Sequence, residues 1–298
     1  MRNKSAMTPD ILCIGSVLWD IIGRTPAPMQ PGEDLPGRIT REPGGVALNI
    51  ALTLARLGLR PAVLTAIGRD SAGDDLIAAL ARAGIDCSHA FRPDHLPTDC
   101  YLAIEGANGL IAAIADAHSL EAAGDRILAP LADGRFGTAA APWAGTVALD
   151  GNLTAALLAG IARSPLFAAA DLRVAPASPG KAERLRPLLG VPAVTLYLNL
   201  EEAGLIAGQS FRSAEAAAAG LVAAGAMRAL VTDGARGAAD ATAVGVRAAV
   251  PPAVTQVRVT GAGDTFMAAH IAAERRGADA DAALRAGLEA AARHVAGL

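Results

Sequence analysis

A glycine-rich turn near the end of the chain, from Thr260 to Asp264, combines the end of a predicted strand, a carboxylate and the start of a helix. Gly261 and Gly263 allow a sharp turn whose N–H groups face a ligand, and the following helix adds the positive end of its dipole. These groups would stabilise negative charge on a transferring phosphoryl group, while Asp264 could accept a proton from an attacking hydroxyl. Gly261, Ala262 and Gly263 therefore predict an anion hole with a catalytic base beside it. A plain strand-to-helix turn with Asp264 as its N-cap accounts for the same residues equally well.

The elements that must position this turn alternate between short apolar strands and alanine-rich helices. Strands are predicted at 11–15, 61–67, 146–150, 172–175, 193–196 and 229–232, and helices at 45–57, 71–83, 214–224 and 279–296. Apolar runs of four to eight residues indicate buried strands, and several of the helices end at a glycine. The alternation predicts an α/β fold with a doubly wound, mostly parallel sheet flanked by helices.

Two segments do not follow the alternation. Residues 21–41 are rich in proline and glycine, and residues 99–115 read as two strands joined by a turn at 106–109. The second segment predicts a hairpin. An ordinary hairpin at a sheet edge and a separate small β element remain open as interpretations.

Composition excludes several classes of protein. With 298 residues, of which 52% are hydrophobic, the chain can bury the core of one domain over 1–298. A net charge of −3, scattered basic residues and 3% aromatics give no reason to expect nucleic-acid binding. Cys13, Cys87 and Cys100 form no C-x-x-C pair, which argues against a disulfide framework or a cysteine zinc site and fits a reducing compartment. No apolar run reaches the ~18 residues of a membrane span, so a soluble cytoplasmic protein is expected.

Two motifs carry a resemblance to a known family. The Thr260–Asp264 turn, preceded by Val259, and the upstream segment from Pro43 to Gly58 resemble the two signatures of the ribokinase-like (PfkB) sugar and nucleoside kinases, in the right order. The resemblance extends from about Ile11 to the C-terminus. It implies a ribokinase-like fold with a small β lid formed by about 21–41 and 98–116. It also implies ATP-dependent phosphorylation of a hydroxyl, with Mg²⁺, and in many relatives a homodimer through the lid.

The resemblance assigns sugar binding to residues that follow the first strand and to the upstream signature. Asp20 occupies the position of the family's sugar-binding carboxylate. Without the resemblance, an aspartate at this position could equally be a turn or capping residue. Gly44 and Gly45 permit close approach of the backbone to a sugar, and Asn49 offers both a donor and an acceptor. Asn49 could equally be an ordinary polar residue in a helix.

A magnesium residue is implied by the match of Asn199 to Glu202 with the family's N-x-x-E element. One carboxylate acting through water suffices for Mg²⁺, which keeps several waters. A solvated helix start is the alternative. The family usually has Lys-Pro before this asparagine, whereas Tyr197 and Leu198 stand here.

The ATP contacts implied by the resemblance lie at Thr232, Gly234 and Gly237, and at Thr260. The pattern T-x-G-x-x-G is also that of a common hairpin turn, and the chain has no P-loop motif. Many relatives build a potassium loop from an acidic residue two positions before this threonine. Arg258 occupies that position and argues against activation by potassium.

Within the family, the elements that would face a base are most similar to those of pseudouridine kinases. They include Thr98, Tyr101 and the following strand to Asp116, and Lys181 in a later loop. Other positions depart from those enzymes, namely Leu18, Leu35 and Ala175. A ribokinase or another sugar or nucleoside kinase therefore remains an alternative, and so does a binding protein that has lost catalysis.

Overall fold

The computed structural model describes residues 8–258 and 260–298. Its strands are β1 (Ile11–Ile14), β2 (Leu18–Arg24), β3 (Arg38–Gly44), β4 (Pro61–Leu64), β5 (Cys100–Gly106), β6 (Gly109–Asp116), β7 (Thr146–Asp150), β8 (Asp171–Ala175), β9 (Val194–Asn199), β10 (Arg228–Thr232), β11 (Ala238–Thr242) and β12 (Gly245–Ala249). Its α-helices are α1 (Val46–Arg56), α2 (Ser71–Arg82), α3 (His118–Ala123), α4 (Ala155–Arg163), α5 (Leu200–Ala207), α6 (Ala214–Ala223), α7 (Ala262–Arg275) and α8 (Ala280–Val295).

Eight strands form the central sheet in the order β12-β11-β10-β9-β8-β7-β1-β4. All neighbours from β10 to β4 are parallel, whereas β11 and β12 are antiparallel additions at one edge. The prediction of a mostly parallel α/β sheet flanked by helices is confirmed.

Helices cover both faces of this sheet because successive strand residues point to opposite sides. Leu12 and Ile14 of β1 belong to a buried cluster with residues of α3, α4, α5 and α6. Ile11 and Cys13 belong to a second cluster with residues of α1, α2, α7 and α8. Within the two described ranges, no helix combines the length and apolar character needed to cross a bilayer.

Four other strands form a second sheet, called here the lid sheet, in the order β3-β2-β5-β6. The predicted hairpin corresponds to β5 and β6, whose turn ends at Gly109 with a φ of 101°. One face of the lid sheet is apolar and open to solvent. It includes Ile39, Leu102 and Ile114, which are 79%, 40% and 67% exposed.

Residues 21–41 contain most of β2 and the start of β3, so they contribute to the lid sheet together with β5 and β6. One prediction of local structure was wrong. The strand expected to end just before Gly261 is not present, since residues 250–258 have no regular structure. Val259, where that strand was predicted to end, lies outside the described residues.

A buried charge cluster joins α7 to the central sheet and consists of Arg173, Tyr197, Arg228, Asp240, His270 and Glu274. Arg228 bonds Asp240 at 2.7 Å and Glu274 at 2.6 Å, while Arg173 bonds the other oxygen of Glu274. Tyr197 places its hydroxyl 2.9 Å from Nδ1 of the fully buried His270. The cluster therefore fixes α7, which carries Asp264, against the four strands β8 to β11.

Candidate active site

The carboxyl ends of the parallel strands bring polar residues, some predicted and some not, to one edge of the central sheet. Ser16 follows β1, Asp150 ends β7, Asn199 ends β9 and Thr232 ends β10. Open α/β sheets bind ligands at this edge, because the loops that connect strands to helices meet there.

The turn before α7 has the conformation that an anion site requires. Gly261 has a φ of 83° and is the N-cap of α7, with no side-chain capping bond. Asp264 is the third residue of the helix, so the interpretation of this residue as the N-cap is wrong. Gly263 is helical rather than part of the turn, and a Cβ placed there would meet no atom within 4 Å. Gly263 is exposed, so the N-terminus of α7 is accessible at this residue.

The carboxylate of Asp264 is held by Asn49 of α1, whose Nδ2 donates a hydrogen bond of 2.9 Å. The pKa of Asp264 is raised to about 7, chiefly by burial. The bond from Asn49 opposes this increase, and the charges of Asp150, Glu202 and Asp20 add to it. The residue keeps part of its surface open to the cleft. A carboxyl group with these properties is suited to general-base catalysis near neutral pH.

Asp20 and the double glycine lie directly against each other. A Cβ at Gly44 would lie 2.0 Å from a carboxylate oxygen of Asp20, and a Cβ at Gly45 would lie 2.4 Å from the carbonyl oxygen of Ser16. Gly45 also has a φ of 99°, which favours glycine. Asp20 belongs to β2, so its interpretation as a turn or capping residue is wrong. Burial, with a smaller contribution from Glu42, raises the pKa of Asp20 to about 6.

The residues predicted to read a base lie in two places. Tyr101 pairs with Asp20 across β2 and β5, and burial followed by the charge of Asp20 raises the pKa of its phenol. The hydroxyl of Thr98 donates to Asp70, the N-cap of α2, so this side chain has a structural bond. Lys181 donates to the side-chain oxygen of Asn152. Burial is the main cause of the lowered pKa of Lys181.

Asn199 and Glu202 form a capping box at the start of α5. The side chain of each accepts a hydrogen bond of 2.8 Å from the backbone N–H of the other. Glu202 is only 7% exposed, so the interpretation as a solvated helix start is wrong. Across the described ranges, no group of three or more acidic, histidine or cysteine side chains could hold a metal ion. A single carboxylate fits a hydrated Mg²⁺ whose other ligands are waters and phosphate oxygens.

The predicted ATP-contact residues lie in two turns. Thr232 to Gly237 joins β10 to β11 as a hairpin, with φ values of 56° at Gly234 and 121° at Gly237. Next to α7, Nε2 of His294 donates a 2.7 Å bond to the carbonyl oxygen of Thr260. His294 belongs to α8, and its bond stabilises the turn at Gly261. The position of this histidine in the sequence does not indicate that role.

The fold and both signatures agree with the sequence profile of the pfkB family of carbohydrate kinases, which matches residues 8–296. The chain belongs to this family.

Two solved structures of kinases have the same architecture. A carbohydrate kinase from Agrobacterium tumefaciens is 28% identical, with a TM-score of 0.78 over 95% of this chain and 89% of the other. The ribokinase of Arabidopsis thaliana, solved with ribose and ATP, has a TM-score of 0.78 at 21% identity and covers 97% and 93% of the two chains. At that identity the second likeness supports the fold alone.

Curated relatives match over shorter segments. The uncharacterized sugar kinase YeiI of Escherichia coli is 34% identical over 49% of this chain, and the pseudouridine kinase of the same species is 34% identical over 28%. The ribokinase of Haemophilus influenzae is 36% identical over 28% of this chain. The matched segments span 39%, 26% and 28% of these three relatives.

Three buried polar residues at the centre of the candidate site were not predicted from the sequence. Asp150, Ser16 and Asn152 are 0%, 3% and 8% exposed and are bonded to one another. The one feature of the sequence that could have indicated Asp150 is its position at the end of the apolar strand 146–150, at the edge of the sheet where ligands bind. Polar groups that end a buried strand at this edge are candidates for a site.

Proposed function

We propose that this protein is an ATP-dependent kinase that phosphorylates a hydroxyl group of a sugar or nucleoside. The proposal rests chiefly on Asp264, a carboxylate with a pKa of about 7 in the first turn of α7, next to the exposed Gly263 of the same turn. A base and an anion site in adjacent residues suit the transfer of a phosphoryl group to a hydroxyl.

In the proposed reaction, Asp20 and Asn49 orient the acceptor so that its hydroxyl lies at Asp264. Because Asn49 donates to Asp264 in the ligand-free site, the hydroxyl replaces or shares that bond. Asp264 accepts the hydroxyl proton as the oxygen forms its bond to the γ-phosphorus of ATP, while the bond from that phosphorus to the bridging oxygen breaks and ADP leaves. The N–H groups of Ala262 and Gly263 stabilise the negative charge on the transferring group.

ATP supplies the phosphoryl group in this reaction, and Mg²⁺ would neutralise charge on its phosphates. Glu202 would hold the hydrated metal through water, using the carboxylate oxygen that the capping box does not occupy. The hairpin turn with Thr232, Gly234 and Gly237 would lie against the nucleotide, and so would Thr260.

Our preferred acceptor is pseudouridine, which would give pseudouridine 5′-phosphate. Tyr101 beside Asp20, and Lys181 joined to Asn152, would provide polar contacts near a base. Ribose is the second candidate, because the match to a ribokinase is as strong as the match to a pseudouridine kinase.

A coupled assay of ADP release with pseudouridine, uridine, ribose and fructose tests both the activity and the acceptor. A buried hydrogen bond to the N–H that distinguishes pseudouridine from uridine predicts a preference of roughly ten- to a hundredfold in kcat/KM. Equal values for the two nucleosides would refute the pseudouridine assignment. Absence of ADP release with every acceptor would refute the kinase proposal and support a binding protein.

A homodimer through the lid sheet is part of the proposal. The exposed apolar face that includes Ile39, Leu102 and Ile114 would be covered by the same face of a second copy. Sedimentation equilibrium tests this arrangement, and a monomer at micromolar concentration would contradict it.

A further inference from the structure

The helix α1 begins without a cap from its own sequence. Its N-cap is Gly45, which offers no side chain to the N–H groups of the first turn. Such groups need partners when they are buried. Here the partners are distant in sequence, because Val46 donates to the hydroxyl of Ser16 at 2.9 Å and Ala47 donates to Oδ2 of Asp150 at 3.0 Å.

Asp150 is a fully buried carboxylate that is saturated with donors. Its Oδ2 accepts from the N–H of Ser16 at 2.8 Å and from the Ser16 hydroxyl at 3.0 Å, in addition to Ala47. Its Oδ1 accepts from the N–H of Asn152 at 2.8 Å. Lys181 reaches this group only through the side chain of Asn152. Burying a carboxylate without a directly bonded cation is costly, so the donors and the positive end of α1 must offset the cost.

The backbone around Asp150 is adapted to its presence. A Cβ at Gly15 would lie 2.4 Å from the carboxyl carbon, so only glycine fits there. The hydroxyl of Ser16 donates to Asp150 and accepts from both Val46 and the side chain of Asn152. The carboxylate thus joins the end of β1, the end of β7 and the start of α1 in one network.

The capped helix carries the side chains that contact the site. Gly44 and Gly45 lie immediately before α1, and Asn49, one turn into it, bonds Asp264. We propose that Asp150 is a positioning residue, which together with Ser16 caps α1 from distant parts of the chain and so fixes the double glycine and Asn49 relative to Asp264. The kinetic part of this proposal rests on the proposed kinase function.

The test compares Asp150→Asn with Asp99→Asn. Asp99 is a matched control, since it is 3% exposed and accepts bonds of 2.9 and 3.0 Å from the N–H groups of Ser119 and Leu120 at the start of α3. An asparagine at 150 can place its oxygen at Oδ2, but its NH₂ then faces the donor of Asn152. We expect KM for the preferred acceptor to rise about tenfold or more and kcat to fall, while KM for ATP is unchanged.

Amide hydrogen exchange of the intact protein tests whether Asp150 caps α1, and this measurement does not depend on enzyme activity. Asp150→Asn should lose protection at the amides of Val46 and Ala47, and Asp99→Asn should lose protection only at Ser119 and Leu120. If Asp150→Asn does not fold, the same measurements on Ser16→Ala replace it. Unchanged acceptor KM and unchanged exchange at Val46 and Ala47 would overturn the proposal, and so would an equal rise in acceptor KM for Asp99→Asn. Lack of turnover in the unmodified protein would refute the proposed kinase function. Amide hydrogen exchange at Val46 and Ala47 would still show whether Asp150 caps α1.

Discussion

The substitution Gly263→Ala separates a ligand-binding role of the α7 N-terminus from a purely structural one. Gly263 is the second residue of α7, has no left-handed φ, and has no protein atom within 4 Å of the position a Cβ would take. The added methyl group therefore meets no protein atom. Since alanine is favoured over glycine in helices by up to about 1 kcal/mol, the variant should be as stable as the original protein or more stable.

The same methyl group would occupy the space that a transferring phosphoryl group needs. Loss of one donor to developing charge typically costs about 10²–10³ in kcat, and a methyl group that keeps the phosphoryl group away from the N–H groups should have a comparable effect. We therefore expect turnover to fall by about a hundredfold or more while the melting temperature stays constant or rises by roughly 2 °C.

Gly160→Ala is the matched control, because Gly160 lies inside α4, is exposed, and likewise has no atom within 4 Å of a Cβ. It should raise stability by a similar amount and leave turnover unchanged. Thermal unfolding and the ADP-release assay on the three proteins give the comparison. Full turnover in Gly263→Ala would refute the anion-hole assignment, and a large loss of stability would refute the stated geometry of the helix start.

Three further predictions concern the carboxylates and Asn49. Asp264→Asn should lower turnover by about 10²–10⁴ with acceptor binding retained, and wild-type turnover at saturating acceptor would contradict its role as base. Because Asp264 must be ionised and its pKa is about 7, kcat/KM should rise with pH and level off above neutrality. A profile flat down to pH 5 would exclude this base. Asp20→Ala and Asn49→Ala should weaken acceptor binding in calorimetry, and Asn49→Ala should also move the acid limb to higher pH, because its hydrogen bond lowers the pKa of Asp264. Unchanged affinity in both variants would contradict the assigned pocket.

The parallel part of the fold was predictable because its strands are short apolar runs and its helices end at recognisable residues. The β11 strand was missed because three of its five residues, Ala238, Ala239 and Ala241, are alanines, which have little preference for strands. Antiparallel pairing with β10 decides its conformation. The bounds of β2 and β3 were not predictable because proline and glycine in the segment between them dominated its composition.

Candidate site residues could be proposed from the sequence where one short segment carries the motif, as at Asp264 and at Gly44 and Gly45. They could not be proposed where function depends on long-range contacts. Ser16 and Asp150 are 134 residues apart, and nothing in either local sequence indicates that they meet. Likewise, Asn199 and Glu202 fit both a metal role and a capping box, and their sequence does not choose between them.

The buried charge cluster beneath α7 constrains how this sequence can vary through evolution. Glu274 serves two arginines at once, so a change to a neutral residue would leave both Arg173 and Arg228 with a reduced set of partners in the interior. Asp240 is 1% exposed and bonds only Arg228 among the charged residues of the cluster, so loss of Arg228 would leave this buried carboxylate without a cation and would also remove one partner of Glu274. Related sequences should therefore retain the whole set or replace it as a block, and intermediates that lack one member should be rare.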